Sequence, residues 1–149
     1  MKEQIVIIGA SHAGISCAEQ LRLLGFSGGI TLFDRQSGAP LERPPLSKSY
    51  LGSRPADDNQ FLLRRPEWYD KFQISMIDGM TVDLIEPGAH QIRLANGQSL
   101  NYDKLILATG AVPRRLSQVA DLENVKVLRS ADDAAALRRA MQTASSVVV

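Results

Sequence analysis

The sequence predicts an α/β fold: a Rossmann-like parallel sheet with an inserted antiparallel β-meander. Three observations carry that expectation. The chain opens with a β-branched apolar run, Ile5-Val6-Ile7-Ile8, then a glycine turn from Gly9 to Gly14, a helical pattern, and a second apolar run, Ile30 to Phe33. Between Met80 and Tyr102 the hydrophobic period changes to two, with turns at Pro87-Gly88 and Asn96-Gly97. The chain then returns to an apolar run, Lys104 to Ala108, that ends on Thr109-Gly110. That is a strand end of the kind at which α/β sheets place their ligands.

Each part of the opening unit has a physical task. Gly9 lets the chain turn sharply out of the first strand. The helix, Ile15 to Leu24 and closed by Gly25, directs its opening N–H groups and its dipole at a negative group. Gly14 and Ala18 are small enough for that helix to lie close to the strand. Asp34 ends the second strand about 20 residues past the turn, where a carboxylate accepts hydrogen bonds from a ribose. Strand, turn, helix, strand and acid together read as a dinucleotide-binding unit. The turn departs from the usual pattern at one position. It reads G-x-S-x-x-G, with Ser11 where a second glycine normally admits the phosphates. A parallel α/β unit whose glycines serve only the turn is the bland alternative.

Composition bounds the rest. At 149 residues the chain is the size of one domain. Its net charge of +1 gives no global field for nucleic acid or membrane binding. Arg64-Arg65, Arg114-Arg115 and Arg138-Arg139 read as solvated faces. No apolar run reaches membrane-spanning length, and Lys2-Glu3-Gln4 leads into a strand rather than a signal peptide. The single cysteine, Cys17, forms no intrachain disulfide, fits a reducing cytosol, and reads as buried filler.

The remaining elements follow in order. Arg35 to Pro40 is a loop, and Arg35 reads as solvated rather than as a hook for a 2′-phosphate. In Leu41-Glu42-Arg43-Pro44-Pro45-Leu46-Ser47-Lys48 two prolines fix the backbone, and Ser47 is expected to cap a short helix through Leu51. This segment is either an ordinary proline-rich connection or a rigid loop that presents an arginine and a lysine to a phosphate site. Arg54 to Arg65 is polar and loop-like around Phe61-Leu62-Leu63. Pro66 opens a helix through Phe72 whose aromatics read as packing residues. Ile74 to Ile77 is the third parallel strand. Residues 81–85, 91–94 and 98–100 are the meander, and His90 sits at a turn. Asn124 to Leu128 is another strand candidate. Ser130 caps a helix through Met141, with Asp133 three residues later in a capping-box position. Val147-Val148-Val149 reads as the opening of a further strand. The chain is therefore expected to be the N-terminal part of a longer protein, able to self-associate through that strand.

The order G-A-S-H-A-G, an acid, R-P-P-L-S-K, a meander, Y-D-K-L-I-L-A-T-G-A-x-P-R-R-L and L-R-S-x-D-D-A resembles the FAD-dependent ferredoxin reductases of the putidaredoxin-reductase and rhodocoxin-reductase type. The resemblance covers the whole chain, and R-P-P-L-S-K with A-T-G is far more specific than the glycine turn. It implies that residues 1–149 are an FAD-binding domain and that residues 146–149 begin an absent NADH-binding domain. Gly9, Ser11, His12, Ala13 and Gly14 would hold the FAD pyrophosphate, and Asp34 the adenosine ribose. Arg43 and Lys48 match positions near the pyrophosphate and the flavin ring, with Lys48 at its reactive end. Val82 matches a residue whose backbone faces the adenine. Thr109 and Gly110 would line the nucleotide, and Arg129 matches an arginine contacting the FAD. Ser11 and Leu41 depart from the family pattern, which has glycine and often tyrosine there.

The implied function is electron transfer from NADH through FAD to a [2Fe–2S] ferredoxin of an oxygenase system, in the cytosol, with the chain by itself not expected to turn over NADH. Rival readings are a related FAD enzyme with another acceptor, of the NADH oxidase or nitrite reductase type, and a stand-alone nucleotide-binding module. A disulfide reductase needs a cysteine pair, and a short-chain dehydrogenase a Tyr-x-x-x-Lys pair; the sequence has neither.

Overall fold

The computed structural model describes residues 2–52, 59–119 and 122–149. They form two compact units, Met1–Pro40 with Leu63–Gly110, and Leu41–Leu62 with Ala111–Val149.

The first unit is built on β1 (Gln4–Ile8), which pairs in parallel with β2 (Gly29–Phe33) on one side and β7 (Lys104–Leu107) on the other. β3 (Ile74–Ile77) adds to β2, giving the parallel order β3-β2-β1-β7. Strand periodicity divides the core into two faces. Ile5 and Ile7 of β1, Ile30 and Leu32 of β2, and Ile74 of β3 pack with Ile15 and Ala18 of helix α1 (His12–Leu23) and Tyr69 of helix α3 (Pro66–Lys71). Val6 and Phe33, on the opposite face, pack with Ile92, Leu94 and Tyr102. The second group belongs to the antiparallel sheet β4 (Val82–Glu86), β5 (Gln91–Leu94) and β6 (Ser99–Asn101) and the residue after it. The meander is thus the third layer of this unit. Its Asn96-Gly97 turn closes as expected, with Gly97 at φ +85° and the Asn96 side chain accepting from the Gln98 amide at 3.0 Å.

Several charged residues do structural work. Arg22, near the end of α1, donates to the carbonyls of Phe26, Gly28, Phe72 and Gln73, each at 2.8 Å, and so closes the C-terminal end of α3. Arg64 is not the solvated residue the sequence suggests. It pairs with Glu19 at 2.8 Å and lies over the Trp68 ring. That bond, more than the opposing burial, holds the Glu19 carboxyl below its ordinary pKa. Cys17 is half-buried rather than buried.

The second unit contains a 3₁₀ turn, Pro44–Ser47, the short helix α2 (Ser49–Gly52) and helix α4 (Ala131–Met141). Leu46, Tyr50, Phe61 and Ala134 form its buried cluster. The capping box is present in full: the Ser130 hydroxyl accepts from the Asp133 amide, and the Asp133 carboxylate accepts from the Ser130 amide.

Three expectations fail in this unit. Ser47 ends the 3₁₀ turn instead of capping α2, because Lys48 intervenes with backbone angles outside the helical region. Asn124 to Leu128 is not a strand: no described strand lies beside it to complete a ladder, and Leu128 instead packs toward the small buried cluster. Val147–Val149 are exposed and do not form the strand expected of them. Of the polar stretch from Arg54, residues 54–58 lie outside the described residues. Among the described residues no helix is long and apolar enough to cross a membrane, and no cluster of His, Cys, Asp and Glu could hold a metal.

Candidate dinucleotide site

The C-terminal ends of three parallel strands lie side by side in the first unit. Ile8 is in register with Phe33 and with Leu107. The Gly9 amide donates to the Phe33 carbonyl at 2.8 Å, and the Ala108 amide donates to the Ile8 carbonyl at 2.8 Å. These bonds bring Gly9, Asp34 and the Ala108–Gly110 segment to one edge of the sheet. Gly9 adopts φ +110°, and a Cβ there would overlap the Ala108 carbonyl oxygen. Gly14 lies in the first turn of α1, where a Cβ would overlap the Gly9 carbonyl oxygen and stand 3.3 Å from Leu32 Cδ1. Glycine is therefore demanded at both positions by close backbone approach, and at Gly9 by its dihedral as well.

The helix begins where the turn ends. Ser11 is its N-cap in extended conformation, and its carbonyl accepts from the Ile15 amide at 3.0 Å. His12 and Ala13 are exposed in the first turn, which contains no acidic residue. The positive end of the α1 dipole is thus uncompensated by its own sequence, the condition in which a helix start attracts an anion.

Asp34 follows β2 directly and is half-buried. Its Oδ1 accepts from the Gln36 amide at 3.0 Å, and its backbone is held by Ile77 and Met80. The other carboxylate oxygen has no protein partner among the described residues. Val82 opens β4, two residues beyond Met80, at a register irregularity against β5. Thr109 and Gly110 are exposed, with Gly110 at φ +69°.

Arg43, Lys48 and Arg129 belong to the second unit. Arg43 is half-buried at the start of the 3₁₀ turn, and its carbonyl accepts from Leu46. Lys48 is exposed, and its ammonium donates to the Pro44 carbonyl at 3.2 Å. Arg129 is half-buried just before the α4 cap. Its Nε is enclosed with no hydrogen-bond partner among the described residues. A buried guanidinium donor without an acceptor is costly, and an anionic ligand would satisfy it. Arg138 is a residue that sequence reasoning missed. It is half-buried and donates to the carbonyls of Tyr50 and Leu51. Its partners lie far away in sequence, so no local pattern marks it.

A family model described as pyridine nucleotide-disulphide oxidoreductase matches residues 3–149. The chain belongs to the pyridine nucleotide-disulphide oxidoreductase family. The motif resemblance is borne out within this family. The chain is 43% identical over 146 residues to rhodocoxin reductase of Rhodococcus erythropolis, covering 97% of this chain and 34% of the relative. It is 41% identical to a rubredoxin-NAD(+) reductase of Pseudomonas putida, covering 97% of this chain and 38% of the relative. Among solved structures, the covalent putidaredoxin reductase–putidaredoxin complex matches with a TM-score of 0.84 at 35% identity, covering 93% of this chain and 34% of that one. The chain spans about a third of the length of the curated relatives it matches. The disulfide chemistry in the family's name needs two thiols, and Cys17 is the single cysteine of this chain.

Proposed function

We propose that this chain is the FAD-binding part of an NADH-dependent flavoprotein reductase that passes electrons to a small [2Fe–2S] ferredoxin of an oxygenase system in the cytosol. The observation that carries the reading is the Gly9–Gly14 approach at the sheet edge, beside Asp34 and below an uncompensated helix start. Rhodocoxin reductase and the putidaredoxin complex support the choice of acceptor class.

The residues present fit FAD. The α1 start, from Ser11 to Gly14, would receive the pyrophosphate on backbone N–H groups, with Gly9 keeping the approach open. Asp34 would accept from the ribose hydroxyls, its turn to Gln36 fixing the carboxylate. The Val82 backbone would face the adenine, and Thr109 and Gly110 would line the nucleotide. Arg43 and Lys48 would contribute positive charge to the pyrophosphate and the flavin ring, and Arg129 an unsatisfied donor. Bound FAD supplies hydride acceptance and single-electron release. The protein supplies position and electrostatics, and no side-chain nucleophile is required.

A second reading differs in the acceptor. Relatives named rubredoxin-NAD(+) reductase are nearly as similar as rhodocoxin reductase, which favours rubredoxin as the alternative. The FAD assignment is tested by competition. A fluorescence titration of the chain should show FAD binding that ADP displaces and nicotinamide mononucleotide does not. Displacement by nicotinamide mononucleotide alone would overturn the assignment of the adenosine end to the Gly9–Asp34 edge.

A further inference from the structure

We propose that Arg138 is a positioning residue for Lys48: by holding helix α2 through two backbone carbonyls it fixes the direction in which the Lys48 ammonium can reach a bound nucleotide. The inference rests on the FAD reading for its consequence, and on the second unit alone for its geometry.

Lys48 is a joint between two short turns. On its N-terminal side the backbone is fixed by Pro44 and Pro45, and the Lys48 amide donates to the Pro45 carbonyl at 2.8 Å. On its C-terminal side lies α2, whose described residues are Ser49–Gly52. Two of its backbone carbonyls have donors outside the helix. Arg138 supplies them. Its Nη2 donates to the Tyr50 carbonyl at 2.6 Å and its Nε to the Leu51 carbonyl at 3.1 Å. Its guanidinium carbon also lies 5.5 Å from the Tyr50 ring centroid. That ring meets Phe61 edge-on at 5.3 Å within the cluster that includes Ala134 of α4.

The planar guanidinium serves two adjacent carbonyls and an aromatic face at once, which an ammonium cannot do. Arg139, next in sequence, is exposed and provides an internal control. The same helix carries Arg129 before its cap, so α4 supports two of the cations assigned to the nucleotide.

The test uses the 149-residue chain with Arg138→Ala, Arg138→Lys, Arg139→Ala and Lys48→Ala. Without ligand, amide hydrogen exchange at Lys48–Gly52 should accelerate by about tenfold or more in Arg138→Ala, reflecting local opening. It should accelerate partly in Arg138→Lys and not in Arg139→Ala. With FAD, Arg138→Ala should weaken binding roughly fivefold to tenfold, a coupling within reach of one lost contact network. It should also shift the visible circular dichroism of the bound flavin. In the Lys48→Ala background both effects of Arg138→Ala should vanish, since a residue acting through the lysine has nothing left to position. Should Arg138→Ala fail to fold, Arg138→Lys carries the same comparison. Unchanged exchange at Lys48–Gly52 would overturn the inference even if no FAD binds, and equal effects with and without Lys48 would overturn it where FAD does bind. Absence of FAD binding in the unaltered chain would instead overturn the FAD reading.

Discussion

Gly14 faces the carbonyl oxygen of Gly9 so closely that no side chain fits between them. Gly9 in turn faces the Ala108 carbonyl, so strand β7, the turn and helix α1 are stacked backbone on backbone. Gly14→Ala would press a methyl group into a backbone carbonyl that cannot move without shifting the turn. The expected loss of stability is about 1–3 kcal/mol, the usual range for overpacking, with weakened FAD binding as well. Urea unfolding and an FAD titration check both. A variant with unaltered stability and affinity would mean that the close approach is not required.

Asp34 combines two tasks that substitution can separate. Asp34→Asn keeps an oxygen for the Gln36 amide but removes the charge, whereas Asp34→Ala loses both. Both variants should weaken FAD binding, by about 1–3 kcal/mol for the lost acceptor. Only Asp34→Ala should loosen the turn at Gln36, seen as faster exchange of that amide. Unchanged affinity in a folded Asp34→Ala protein would contradict the ribose assignment.

Ser11 stands where the family pattern has glycine. If the serine is a tolerated replacement, Ser11→Gly keeps or improves FAD binding. If its hydroxyl bonds a phosphate oxygen, affinity falls modestly. Titration of the apo-protein decides between the two, and loss of all binding would contradict both.

The parts of the fold that local chemistry dictates were legible in the sequence. Gly9, Gly14 and Asp34 lie within one strand–helix–strand unit, Asn96-Gly97 closes a hairpin between near neighbours, and Ser130 with Asp133 forms a box one turn long. The failures are long-range. Asn124 to Leu128 has a strand-like composition, but a ladder needs a partner strand that composition does not supply. Arg64 and Arg138 look like surface charges because the groups that hold them, Glu19 and the carbonyls of Tyr50 and Leu51, lie 45 to 88 residues away. The three-layer arrangement of the first unit was not visible: β1 reads as a continuous apolar run, and nothing in it says that the meander covers one of its faces.

The α4 cap gives a pH-dependent prediction. Burial raises the Asp133 pKa, but hydrogen bonds from the Ser130 side chain and from the Ser130 and Arg129 amides, with the Arg115 charge, outweigh it and hold the carboxyl below its ordinary value. A depressed carboxylate stabilises the fold above its unfolded-state pKa, and that contribution is lost as pH falls through the folded-state value. The window is therefore about pH 4 and below. Ser130→Ala should cost about 1 kcal/mol near neutrality. It should also flatten the acid limb of the unfolding midpoint measured against pH. An acid limb identical to that of the unaltered protein would remove the cap from the account.

The FAD assignment stands or falls on the Gly9–Gly14 edge. The absorbance spectrum of the chain, loaded with FAD and then freed of unbound nucleotide, tests it most directly. The predicted result is a retained, structured flavin band that is lost in Gly14→Ala. A colourless protein after loading at saturating FAD, or an equally yellow Gly14→Ala variant, would contradict it.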